Sequence, residues 1–547
     1  MKKLLFIISV ASSIAVKAQS PFNDIVYLDV NKIKAPVSTH GELWWNPATS
    51  KAACEFPKGS GKLANSLGAL WMSGYDGSGN LHISTQVFRQ EGNDYWPGPL
   101  FSATALPYAV SQGWSKVWKV TASDINTFLS TTTHTVTNTP ISILEWPAKN
   151  NPYAKGKAGV LLSITTDMAP FVDANGDGEY NPLQGDFPRM KGDEMLWWVF
   201  NDNGATHNNS KGSSLGMQIR ATAYGYNRGT KVGNILFYEY LITNMSGIAY
   251  NNFRCALFND AELGWYRDDY VGFDSVRRMG IAYNANSTDG SGQPEAYGAS
   301  IPVTGVTILQ TPSDVGNTYA PLANFMYYNN DNTLTGNPDS ATQYNNYIRG
   351  MWRDGLILKN DFAGAGISSN GRTGSVNANY AYTGDPKIKT QWSECASANT
   401  PADRRFVLSA SDYSFGIGAT TKFAFALVIT DTSSNNYCDS VSFDNVKELA
   451  DTAWKYYYAP PPALTVSSTE PLQLTAYPNP VKDMLFVNSI IDIKNVLVYD
   501  VNGKKQNVSY NVSGKRTEIN TIALPVGMYT LLISNGQDTY RSIFVKQ

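Results

Sequence analysis

The chain is short of cysteine, histidine and charge. Among its 547 residues are four cysteines and four histidines, and only 16% of the residues are Asp, Glu, Lys or Arg. Neither the histidines (His40, His82, His134 and His207) nor the cysteines (Cys54, Cys255, Cys395 and Cys438) have metal-ligand spacing, which argues against a zinc site. After the first residues no apolar run approaches the roughly 20 residues that a membrane-spanning helix needs, so no transmembrane segment is expected in the mature chain. A basic surplus is also missing. Residues 19–470 carry 32 basic against 40 acidic side chains, which argues against nucleic acid as a partner and is compatible with bound Ca2+. No internal repeat of fixed period is visible.

Glycine and aromatics are plentiful: 45 Gly, 32 Tyr and 13 Trp suit a β-rich protein with many turns and aromatic cores. Lys2 and Lys3, the apolar run Leu4 to Val10 and the small-residue site Val16-Lys17-Ala18 read as a secretory signal peptide over 1–18. In an exported chain, four cysteines permit two disulfides in three pairings, or buried free thiols.

The expected organisation after the signal is an N-terminal β-rich region (19–155), a β-rich body (156–458), a Pro-rich linker (459–471) and a small tail (472–547). Met217, Ile219, Ala221 and Ala223 alternate with polar neighbours, which marks a half-buried strand. Ile235 to Tyr240 is apolar on both faces and should lie centrally in its sheet. Val446, Leu449, Ala450, Ala453, Trp454 and Tyr457 form one helical stripe, with Ser442 or Asp444 as cap. In the tail, Asn502-Gly503 and Asn535-Gly536 provide the positive backbone angles of tight hairpin turns between short strands. The fold expected is mainly β: a large sandwich-like body closed by one helix, then a small immunoglobulin-like antiparallel sandwich.

The clearest candidate for chemistry is Asp173-Ala174-Asn175-Gly176-Asp177-Gly178-Glu179. It places oxygen side chains at positions 1, 3 and 5, Gly at 6 and a carbonyl at 7, and it resembles the first half of an EF-hand or dockerin loop. Position 12 is Gln184 where an acid is expected, and Asp186 is the candidate replacement. Asp268 and Asp269, with Asp260 and Asp274, form a second candidate Ca2+ cluster. Adjacent strand residues face opposite sides, so Asp268 and Asp269 cannot together make a catalytic carboxylate pair. Gly212-Ser213-Ser214-Leu215-Gly216 matches a serine-hydrolase string but precedes a strand, the reverse of a nucleophile elbow. Trp44-Trp45 and Trp197-Trp198 are expected to give at most one core residue per pair, with the remainder able to stack on sugars.

Tyr477-Pro478-Asn479-Pro480, together with Leu524-Pro525-Val526-Gly527-Met528-Tyr529 and the terminal Phe544-Val545-Lys546, resembles a type A C-terminal sorting domain of type IX secretion in Bacteroidota. The resemblance implies export across the outer membrane by machinery that reads this tail. It also implies cleavage by a surface sortase, leaving the cargo secreted or on the outer cell surface. The sorting signal residues would be Tyr477, Pro478, Asn479, Pro480, Gly527 and Tyr529. The body resembles a class of large exported Bacteroidota proteins at residues 56–62, 94–99, 173–202 and 268–272, a resemblance that brings no activity with it. The functional expectation is a non-catalytic, Ca2+-stabilised cargo that binds a glycan or protein in adhesion. The alternative is a secreted polysaccharide or peptide hydrolase using the acidic loops.

Overall fold

The computed structural model describes residues 24–458 and 476–547, apart from 88–91, 102–107, 230, 315–318, 361–369, 375, 489–492, 501–503, 514–515 and 535–538. The signal peptide, the 459–471 linker and the Asn502-Gly503 and Asn535-Gly536 turns lie outside the described residues. The chain divides into two compact units, residues 1–463 and 464–547.

The larger unit is built on two antiparallel sheets. One has nine strands. Its main path runs Trp118–Thr121, Glu194–Asn201, Met217–Gly225, Ile235–Asn244, Thr420–Ile429, Thr304–Gln310, Met279–Asn284 and Asp269–Asp274. The six-stranded sheet centres on Tyr250–Asp260, with Arg404–Ser409 and Asn324–Asn329 on one side and Leu67–Tyr75 and Leu81–Ser84 on the other. Strand Leu67–Tyr75, from the region expected at 19–155, therefore pairs directly with a strand of the later body.

Alternation within Ile235–Asn244 explains the layering. Leu236, Tyr238, Tyr240 and Ile242 enter the core shared with the second sheet, while Ile235 and Phe237 enter another core on the opposite face. This strand is paired on both sides, as its two apolar faces require. Across the first core, Trp44 donates its indole N–H to the Tyr238 hydroxyl at 2.9 Å, and Phe273 stacks on Phe325 at 5.0 Å between ring centroids. Helix Asp444–Tyr458 buries Val446, Leu449, Ala450 and Ala453 in the second core. Ser442 Oγ accepts the Asp444 amide just ahead of the first turn.

The two-sided core corrects the expectation for paired tryptophans. Trp197 and Trp198 do face opposite ways, yet both are buried, because the sheet is covered on both faces. Trp44 and Trp45 are likewise both buried. None of these four presents a ring to solvent. Cys395 and Cys438 form a disulfide with 5.5 Å between Cα atoms, whereas Cys54 and Cys255 are buried thiols.

The smaller unit is an antiparallel sandwich of two four-stranded sheets. Val481, Leu485, Val487, Val496, Val498, Ile519, Leu531, Ile533 and Phe544 fill the space between them.

Candidate functional site

In the tail, the proline-punctuated segment does structural work through its asparagine. Asn479 Nδ2 donates to the Ile543 carbonyl at 3.0 Å, and its Oδ1 accepts the Val545 amide at 2.9 Å. The side chain thus substitutes for a strand partner where prolines on either side supply no backbone N–H. Val481 continues the pairing, donating to the Val545 carbonyl at 2.8 Å. Gly527 opens the strand Gly527–Ser534, on which Tyr529 stacks against Phe544 at 5.5 Å. The Tyr529 hydroxyl donates to the Pro525 carbonyl at 2.8 Å, closing the turn that leads into the strand. Tyr477 is exposed, as are both prolines beside Asn479.

The loop from Asp173 is folded around its own carboxylates. Asp173 Oδ1 accepts the Gly176 amide at 2.7 Å and Oδ2 the Gly178 amide at 2.8 Å. Asn175 Oδ1 accepts the Asp177 amide, and Asp177 Oδ1 accepts that of Glu179. Gly176 and Gly178 sit at φ of 78° and 77°, a left-handed backbone that favours glycine. Asn175 Nδ2 donates to Asp177 Oδ2 at 2.7 Å, and residues 174–179 of the loop are exposed. Asp186 has another role: its two oxygens accept the Ala174 and Asn181 amides, both at 2.8 Å, from a fully buried position. It braces the loop from beneath. Glu179 accepts from Asn150 Nδ2, and Gln184, at the twelfth position, accepts from Asn175.

The second acidic group is buried. Asp268 accepts the Gly290 amide through Oδ2, and Asp269 accepts the Leu263 amide. The Oδ1 atoms of both lie buried without a hydrogen-bond partner. Asp289, which sequence reasoning missed, joins them by accepting the Trp265 and Tyr297 amides. Asp260 and Asp403 flank the Arg405 guanidinium, at 3.2 and 3.8 Å. One oxygen each from Asp260, Glu262 and Asp403 lie within 4.8 Å of one another, a spacing that suits a metal ion. Asp274 stands apart from this group and pairs with Arg277 at 3.1 Å.

Burial, and then the neighbouring Asp289 charge, push the Asp268 carboxyl up to about 6, against the pull of the Gly290 amide. Asp269 is held well above the ordinary carboxylate range, mainly by burial. The folded state therefore keeps these protons more tightly than the unfolded chain does. The resulting stabilisation is fully present below the usual aspartate range and is lost as pH rises through about 6. Without added metal, thermal unfolding is expected to move to lower temperature as pH rises from about 4, the ordinary aspartate value, to above about 6. A cation that replaces the protons should flatten that slope.

The Gly212 to Gly216 string, with Ser213 exposed, borders a buried polar stitch. Asp202 accepts the Leu215 and Met217 amides at 2.6 and 2.5 Å, and Ser84 donates to it. The ring nitrogens of His207 face the Ile83 and Asp202 carbonyls, while Asp94 accepts the Asn209 and Ser210 amides. Ser214 donates to Asn203 at 3.0 Å. This network anchors the loop before strand Met217–Gly225.

Residues 475–547 match the family described as the secretion system C-terminal sorting domain. The tail is thus a type IX secretion sorting domain, and the chain is a cargo of that machinery bound for secretion or the cell surface. A search of curated proteins returned no match. Among solved structures, a polysaccharide lyase aligns with 60% of this chain at 9% identity and a TM-score of 0.18. The alignment spans 34% of the lyase, about a third of its length, and at that score it bears on neither fold nor activity. No helix among the described residues is long and apolar enough to cross a membrane.

Proposed function

We propose that the larger unit is a non-catalytic, Ca2+-stabilised binding protein, delivered by its sorting tail to act in adhesion through a glycan or protein ligand. In this reading a signal peptide at 1–18 starts export, and a surface sortase removes the tail outside the cell. The observation that carries the Ca2+ assignment is the surplus of buried negative charge. Asp260, Glu262, Asp268, Asp269, Asp289 and Asp403 are each less than a tenth exposed. Arg405 lies beside Asp260 and Asp403, and Lys62 acts on Asp289. Gathering carboxylates in a buried cluster is expensive, and a divalent cation would offset part of that cost.

Two positions for Ca2+ follow. Asp173, Asn175, Asp177 and the Glu179 carbonyl would hold one ion, with Asp186 keeping the loop in shape. Asp260, Glu262 and Asp403 would hold another, with the Asp268 and Asp269 carboxylates stabilised in their charged form beside it. Calorimetry and thermal unfolding of the mature chain, with EDTA or with Ca2+, test the proposal. At about 100 times the Kd, each bound Ca2+ should stabilise the fold by about 2.7 kcal/mol. Asp177→Ala should remove the first binding heat and Asp260→Asn the second. A titration of wild type that produces no heat and leaves the unfolding midpoint unmoved would dismiss the metal. A glycan and protein array probed with the same chain tests the binding role.

A further inference from the structure

A groove of about 520 Å³ opens over the nine-stranded sheet, beside the Asp173 loop. Its floor follows from strand register. Trp197, Thr222 and Glu239 lie side by side across three strands, and Arg220, Leu241 and Lys422 form the next row. Residues 167–171 make one wall, and Arg189 and Lys191 stand at its rim. The volume is in the range of small-ligand sites.

The charges in this groove are unequally matched. Glu239 is neutralised by Lys191 and has Lys422 at 3.6 Å. Arg220 is held by a backbone carbonyl, donating from Nη1 to Asp167 at 2.8 Å, while its Nε is buried with no hydrogen-bond partner. Arg189 likewise donates to the Phe171 carbonyl at 3.2 Å. Among the described residues neither guanidinium has a carboxylate within ion-pair distance. Burial lowers the proton affinity of Arg220, and the Asp167 charge offsets this only in part.

We propose that this groove binds an acidic saccharide, with Arg220 and Arg189 receiving its carboxylate or sulfate group. The inference rests on the binding role proposed above and gives it a location and a ligand class. A guanidinium fork matches a planar anion and leaves its remaining donors for neighbouring hydroxyls. Met168, Pro170, Phe171 and Leu241 offer apolar surface to the C–H faces of a sugar ring. An extended acidic peptide fits less well, because the floor strands are already hydrogen-bonded on both sides and present no free edge for strand addition.

The test is calorimetry on the mature full-length chain with four probes: a galacturonate oligomer, a sulfated galactose oligomer, a neutral galactose oligomer and a glutamate oligopeptide. The expected result is salt-sensitive binding of a charged oligomer, weakened about tenfold or more by Arg220→Gln and by Arg189→Gln, with Arg220→Lys intermediate. Whichever charged oligomer binds more tightly identifies the anion. Arg189 is exposed, so its variant reports even if Arg220→Gln perturbs folding. Failure of both charged oligomers to bind, tighter binding of the peptide, or affinity unchanged in both variants would overturn the assignment. Binding of the neutral oligomer alone would overturn it while leaving the wider binding role intact. Silence across both these probes and the array would remove both.

Discussion

Glu394→Ala is expected to cost the larger unit about 3–5 kcal/mol of folding stability. Glu394 is fully buried and accepts from Arg404 Nη2 at 2.7 Å and from Arg404 Nε at 3.0–3.1 Å. It also accepts the Val271 amide at 2.9 Å and Asn399 Nδ2 at 3.1 Å. Val271 lies in the nine-stranded sheet and Arg404 in the six-stranded sheet, so one carboxylate ties the two layers together. Truncation would leave a guanidinium with 6% exposure and no counter-charge from that position, together with an unpaired buried amide. The Glu394 charge also raises the proton affinity of Arg404 despite its burial. Glu394→Gln keeps acceptors for Val271 and should lose less. Lys32→Ala, which breaks a half-exposed pair with Asp431, should cost under about 1 kcal/mol. Urea unfolding of the three variants checks the order. A Glu394→Ala cost no larger than that of Lys32→Ala would refute the bridging role.

The sequence revealed patterned elements better than it revealed sites. The Val446 to Tyr457 stripe, the alternation at Met217 to Ala223 and the two-faced run at Ile235 all correspond to structure, because side-chain periodicity reports which faces are covered. Tryptophan burial was misread because the number of covered faces is a property of the assembled sheets, and the Trp197-Trp198 pair alone does not contain it. The partners of Glu394 lie at positions 271, 399 and 404, and Asp289 reaches back to the 265 amide. Such meetings depend on loop paths, which local pattern does not encode. The groove arose in the same way, from Arg220 and Lys422 becoming neighbours across an intervening strand. The adjacent arginines Arg404-Arg405 were the one available hint of buried charge, since both lie on a strand whose residues are otherwise apolar or small. The tight turn at Asp173 was legible because its Asp, Asn and Gly pattern is local.

Deleting residues 476–547 is expected to abolish delivery outside the cell while leaving the larger unit folded. The tail is a compact unit with a core of its own. Its loss removes the module that export machinery reads and leaves the cores of the larger unit intact. Asn479→Ala should have a graded effect. Removing its two hydrogen bonds to the last strand frees the Tyr477 to Pro480 segment at a cost of about 1–3 kcal/mol to the small sandwich. The most direct test is fractionation of producing cells that express the full chain or the 476–547 deletion, with immunodetection of the larger unit. The full chain should be found at the surface or in the medium, and the deleted chain should be retained in the periplasm as a folded, protease-resistant protein. Equal amounts of the two chains outside the cell would contradict the tail's role as the export address.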